Sequence, residues 1–121
     1  MQYRKEVDSI GSKKVPKDAF YGIFTQRALE NFKISGMKAK KELIYSYVYV
    51  KKASAAANMK LRLLDRRTGN AIVYGCNEIL KGRYLDQFPL DVFQAGAGTP
   101  YNMNANEVIA NLAIKKLKGR L

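Results

Sequence analysis

The chain has 121 residues, with 22 Lys and Arg against 10 Asp and Glu, a net charge of +12 and no histidine. Its 47% apolar content separates it from disordered polymers, and its length suits one domain with a modest core. A single cysteine excludes an intrachain disulfide, and the lack of histidine excludes Ser-His and Cys-His catalysis within the chain and most zinc sites.

The most apolar stretch, "LIYSYVYV" at 43–50, is too short to span a bilayer and runs straight into Lys51 and Lys52. The opening "MQYRKEVDS" is charged without an apolar region behind it, unlike a signal peptide. The expectation is a soluble, cytoplasmic protein in which Cys76 is a small buried hydrophobe. The positive residues fall in scattered pairs such as Lys13–Lys14, Lys40–Lys41, Lys51–Lys52, Arg66–Arg67 and Lys115–Lys116, not along one helix face. With no base-reading motif beside them, they suggest a solvated surface attracting small anions, and nucleic acid is an unlikely partner.

In chain order, residues 2–8 and 12–15 alternate weakly around Gly11–Ser12 and predict a short extended hairpin. Pro16 and Asp18 suggest a turn. Thr25 reads as the N-cap of a short helix through about Phe32, with Ala28, Leu29 and Phe32 on one side and Ser35–Gly36 ending it. A long helix is expected over about 40–64. In it Leu43, Tyr47, Val50, Ser54, Ala57 and Leu61 recur at steps of three and four, and "ASAAANM" at 53–59 allows close packing. Asp65 caps the next helix, about 66–81, which carries Ala71, Ile72, Cys76, Ile79 and Leu80, with Gly82 at its C-terminal end. A connection over 83–94, broken at Pro89, leads to a last helix from near Pro100 to about Lys118. The fold class is mainly α: a small N-terminal extended hairpin followed by about four helices, in a single domain over 1–121.

The stretch "GAGTPYNMNANEVIAN" at 96–111 carries the most chemistry. Pro100 suits the first turn of a helix, which puts Thr99 at the N-cap. Gly96 and Gly98 permit a close backbone approach, and a helix N-terminus there favours an anion. At a hundred degrees per residue, Asn104, Glu107 and Asn111 share one face, continued by Lys115 and Lys118. Asn102 and Asn106 point the opposite way, beside Ile109, Ala113 and Leu117. Amides on two sides of an apolar helix imply polar groups that need satisfying inside packing or at a polar ligand.

"YGIFTQRALENF" (21–32), "VKKASAAAN" (50–58) and "LDQFPLDVFQAGAGTPYNMNANEVIAN" (85–111) closely resemble, in order and spacing, the amino-terminal part of the aspartase/fumarase superfamily. Within it, "DQFPLDVFQAGAGT" looks more like the aspartate ammonia-lyases; class II fumarases typically have a tryptophan near Phe93 and a serine where Ala97 stands. The resemblance implies the N-terminal domain of that fold and reversible deamination of L-aspartate to fumarate and ammonia, with a dicarboxylate as substrate and no cofactor or metal. It implies that Thr99 hydrogen-bonds a substrate carboxylate, that Gly98 shapes the loop and that Arg27, in "TQR", lies towards the site. Asn102, Asn104, Asn106 and Glu107 match the "NMNxNE" signature and are expected to support the loop and subunit packing. Pro100 stands where the family commonly has a small polar residue, and the tyrosines of "IYSYVYV" replace smaller or aliphatic ones.

The family's enzyme is several times longer and assembles its sites from three subunits of a homotetramer. Its catalytic serine loop, its central helical bundle and its C-terminal domain have no counterpart in these 121 residues, so no catalytic residue is expected here and the chain alone should not be catalytically competent. The alternatives are a fragment of a class II fumarase-type lyase and a basic, non-enzymatic binding module on the same fold.

Overall fold

The computed structural model describes residues 1–118. Strands β1 (Tyr3–Asp8) and β2 (Gly11–Pro16) form an antiparallel hairpin with Arg4 opposite Val15. The usual alternation is inverted in β1. Arg4, Glu6 and Asp8 point inward and are half-buried, while Tyr3 and Val7 are exposed. The five N–H donors of a guanidinium make this workable. Arg4 donates to Glu6 (2.8 Å) and to the carbonyls of Pro16, Lys17, Ala19 and Tyr21 (2.7–3.0 Å), so one side chain organises the segment that follows the hairpin.

Helix α1 (Ile23–Asn31) starts earlier than the sequence suggested, and Thr25 is not its N-cap. Gly22 occupies that position, and Thr25 is a fully buried residue of the first turn. The first N–H groups of a helix lack intrahelical partners. Here two distant carboxylates supply them: Glu6 accepts from Ile23 N–H (2.8 Å), and Glu107 accepts from Phe24 N–H (3.0 Å), Thr25 N–H (2.9 Å) and the Thr25 hydroxyl (2.6 Å). A Cβ at position 22 would lie 2.3 Å from Glu107 Oε2, so only glycine admits this approach. Ion pairs from Arg27 to Asp8 and from Lys13 to Glu30 bind the helix to the hairpin.

Helix α2 (Lys41–Lys60) stops a turn short of Leu64. Arg62 adopts a left-handed conformation (φ 59°) and Leu63 N–H returns to the Asn58 carbonyl at 2.9 Å, closing the helix before Asp65 can cap the next one. The expected inward stripe is also corrected. Leu43, Val50 and Leu61 are exposed, Tyr47 is half-buried, and Ile44, Val48 and Ala55 face the core. Both faces of 43–50 are apolar, so periodicity could not select one; packing against α3 and α4 did.

Helix α3 (Arg66–Leu80) is capped by Asp65, whose carboxylate accepts from Thr68 N–H at 2.8 Å, and Gly82 (φ 87°) follows its end. A short 3-10 turn, Leu85–Gln87, precedes helix α4 (Thr99–Lys116). The core joins Ile44 and Val48 of α2, Cys76 and Ile79 of α3, Phe88, and Ala105, Val108, Ile109 and Leu112 of α4. A smaller cluster of Ala28, Leu90 and Tyr101 lies under α1. No helix among the described residues is long and apolar enough to cross a membrane.

Asp91 ties the loop after α1 to the connection before α4. Its buried carboxylate accepts from Ser35 N–H (2.6 Å), the Ser35 hydroxyl (2.8 Å), Gly36 N–H (2.7 Å) and Phe93 N–H (2.8 Å). Burial pushes its pKa upward, but these donors outweigh it and hold the carboxyl well below its usual range.

Three outcomes follow. Glu107→Ala leaves three donor contacts at α1 unmet and should lower stability by about 2–3 kcal/mol in urea unfolding. Because the folded pKa of Asp91 is depressed, its contribution is complete above the ordinary value of 3.8 and is lost as pH falls below it. Asp91→Asn should therefore be less stable at neutral pH and lose stability less steeply on acidification below that value. Burial raises the Cys76 thiol to about 11, so native protein should resist alkylation at pH 8 and react only once denaturant unfolds it.

Candidate functional site

The glycine–threonine loop enters α4 through Gly98, whose φ of 77° and ψ of 11° place it in the left-handed region that favours glycine. Gly98 N–H donates to the Ala95 carbonyl at 2.9 Å, and its own carbonyl accepts from Asn102 N–H at 3.1 Å. Gly98, not Thr99, is therefore the N-cap; Thr99 is the first helical residue, and no side chain caps the helix. The left-handed turn moved the cap one residue back and left the Thr99 side chain exposed and uncommitted to capping. The starts of α1 and α3 hold carboxylates from this chain, whereas the start of α4 offers its positive dipole end to solvent.

Thr99 and Arg27 line one cleft of about 230 Å³, with Ala95 and Pro100 on the loop side and Phe24 and Phe32 on the α1 side. The Arg27 guanidinium is already engaged. It donates to both Asp8 oxygens (2.7 and 2.9 Å) and to the Gly11 carbonyl (3.2 Å). That pairing raises the pKa of Arg27 and lowers that of Asp8. The charge facing the cleft is thus matched from behind, and what remains for a ligand is the hydroxyl of Thr99 and the helix terminus.

A larger opening of about 340 Å³ lies between α2, α3 and α4, lined by Lys51, Asn58, Ile72, Asn106 and Ile109 among others. Its one cation, Lys51, donates to Asn102 Oδ1 at 2.5 Å. It gathers neither a hydroxyl–dipole pair nor an acid–base pair, which leaves the smaller cleft as the candidate site. No three His, Cys, Asp or Glu side chains come together to hold a metal among the described residues.

The amide face of α4 meets backbone inside the packing, one of the two alternatives its sequence pattern left open. Asn104, fully buried, donates to the Gln87 carbonyl at 2.9 Å, and Asn111 donates to the Phe20 carbonyl at 2.7 Å. Lys115 completes that face over the Phe20 ring, 5.0 Å from its centroid. Asn102 and Asn106 point the other way, towards Lys51 and Met103. Asn104 Oδ1 and, at the root of the loop, Gln94 Oε1 are buried acceptors without a partner.

Sequence reasoning missed Glu6, Asp8 and Gln87. Gln87 Oε1 accepts from Phe20 N–H at 2.7 Å. The signal for the first two was present: Arg4, Glu6 and Asp8 fall on one face of a strand at period two, an arrangement that calls for polar partners.

A family model described as lyase matches residues 11–120. An aspartate ammonia-lyase of Bacillus sp is 52% identical over 93% of this chain and 24% of its own length. A class II fumarate hydratase of Halobacterium salinarum is 51% identical over 95% of this chain and 24% of its own. Among solved structures, a fumarate lyase:delta crystallin from Brucella melitensis superposes with a TM-score of 0.96 at 47% identity, over 98% of this chain and 26% of that one. A class II fumarase from Schistosoma mansoni gives 0.94 at 34% identity, over 97% and 25%. The chain thus spans about a quarter of the length of these relatives. With a family model matching residues 11–120 and relatives 52% and 51% identical over more than nine-tenths of its length, the chain belongs to the lyase family of the aspartase/fumarase superfamily.

Proposed function

We propose that this chain is the amino-terminal portion of an aspartate ammonia-lyase, which converts L-aspartate to fumarate and ammonia, and that it contributes the glycine–threonine loop to a site completed by other parts of a homotetramer. The observation that carries this reading is "DQFPLDVFQAGAGT" at 86–99, ending in an exposed threonine at an uncapped helix N-terminus. In the reaction a base removes a proton from the carbon beside one carboxylate. That carboxylate takes up the electron pair as a doubly negative aci-carboxylate. The pair then forms the double bond as the C–N bond breaks and the amine leaves. Charge develops on the carboxylate, so donors fixed in advance at its oxygens lower the barrier. The Thr99 hydroxyl is such a donor, the α4 dipole adds positive potential beside it, and Gly98 lets the backbone come close. Arg27, neutralised by Asp8, shapes the cleft wall. The base and the remaining donors belong to parts of the protein outside these 121 residues.

A second reading, a class II fumarase-type lyase, is favoured by the 51% and 49% identities to fumarate hydratases of Halobacterium salinarum and Campylobacter jejuni. Ala97 and Phe93 in the loop support the ammonia-lyase instead. Turnover by the full-length parent separates the two, and mixing the chain with the downstream remainder of a related lyase tests the contribution of the loop. Fumarate should appear from L-aspartate and not from L-malate, and neither part alone should be active; turnover of malate alone would reverse the assignment. In the active mixture, Thr99→Ala should lower kcat about 10²–10³-fold, the usual cost of one such donor. A steep salt-dependent shift of duplex DNA by the chain, with no complementation, would instead support a basic binding module.

A further inference from the structure

The sequence singled out the tyrosines of 43–50 as unusual, and one of them reaches the loop. Tyr47 is half-buried on α2, and its ring packs against the Ala28, Leu90 and Tyr101 cluster under α1. Its hydroxyl meets Gly98 on the side where a side chain would stand: a Cβ there would lie 3.0 Å from Tyr47 Oη. Gly96, two residues earlier, has nothing comparable within 4 Å. The first part of the loop is therefore open on that side, and Tyr47 Oη stands beside the loop where it hands over to Thr99.

We propose that Tyr47 is a positioning residue for the glycine–threonine loop: its hydroxyl, fixed by the packing of its ring, holds Gly98 in the left-handed turn that directs Thr99 into the cleft. This rests on the reading of Thr99 as a carboxylate ligand. A rigid helix supplies the brace, so the loop's geometry is set before any ligand arrives, and a pre-set donor loses less entropy on binding than one ordered by its ligand. The contact also makes position 98 doubly intolerant of a side chain, once for its φ of 77° and once for the hydroxyl.

The test is a fumarate titration into the millimolar range on the ¹⁵N-labelled chain in the active mixture with the downstream remainder of a related lyase, read at the Gly96, Gly98 and Thr99 amides, with thermal unfolding of the chain as a control. Tyr47→Phe keeps the ring and removes the brace; it should weaken fumarate binding about three- to tenfold while Tm stays close to wild type. Gly98→Ala should abolish the response in the wild-type background and recover part of it in the Tyr47→Phe background, because the methyl then enters space the hydroxyl has left. If Tyr47→Phe binds fumarate as wild type does and Gly98→Ala costs the same in both backgrounds, the hydroxyl positions nothing and the inference fails. If the wild-type loop amides ignore fumarate, the reading of Thr99 fails and takes this inference with it.

Discussion

Backbone N–H groups at the start of α1 must be satisfied, and the chain does this with carboxylates from two distant elements. Glu6 arrives from the hairpin and Glu107 from the middle of α4, and they converge on Gly22. A helix this short has little stability of its own and depends on such tertiary partners. The same bonds fix α1 against α4 and so set the wall of the cleft opposite Thr99. Arg27, one turn further on, is then in reach of Asp8, and Ala28 in reach of Leu90 and Tyr101. The position of the candidate site follows from this junction more than from its own loop.

The amides of α4 belong to the same logic. An α-helix packed on several sides cannot carry many charges without partners, yet the segments crossing it present backbone groups that need bonds. Asn104 and Asn111 meet the carbonyls of Gln87 and Phe20 without adding charge, and Glu107 spends its charge on donors. The apolar residues between them, Val108 and Leu112, fill the core shared with α2 and α3. One helix is thus both the centre of packing and the backbone-satisfying post for two loops.

What was legible in the sequence was local. Asp65 and Gly82 bracket α3 by short-range hydrogen bonds that need no tertiary knowledge, and the face of Asn104, Glu107 and Asn111 follows from helical geometry alone. What was not legible depended on residues far away. Thr25 has the composition of a cap, but Glu107, 82 residues on, had already claimed the donors. Thr99 has it too, but a left-handed Gly98 took the position. The inward face of α2 was ambiguous because Leu43 and Ile44, and Val48 and Val50, are equally apolar, and only the neighbours decide between them. Arg27 lines one cleft with Thr99, while its engagement by Asp8 needed the hairpin to be seen folded against α1.

The span between Thr25 and Glu107 also orders events in time. A ribosome releases the hairpin and α1 first, but the carboxylate that locks them is made only after two further helices have emerged. Until then α1 is a short segment with part of its first turn unsatisfied, so roughly the first quarter of these residues waits for Glu107. The loop that enters α4 is consequently among the last features to settle, and it settles at the moment the whole unit closes.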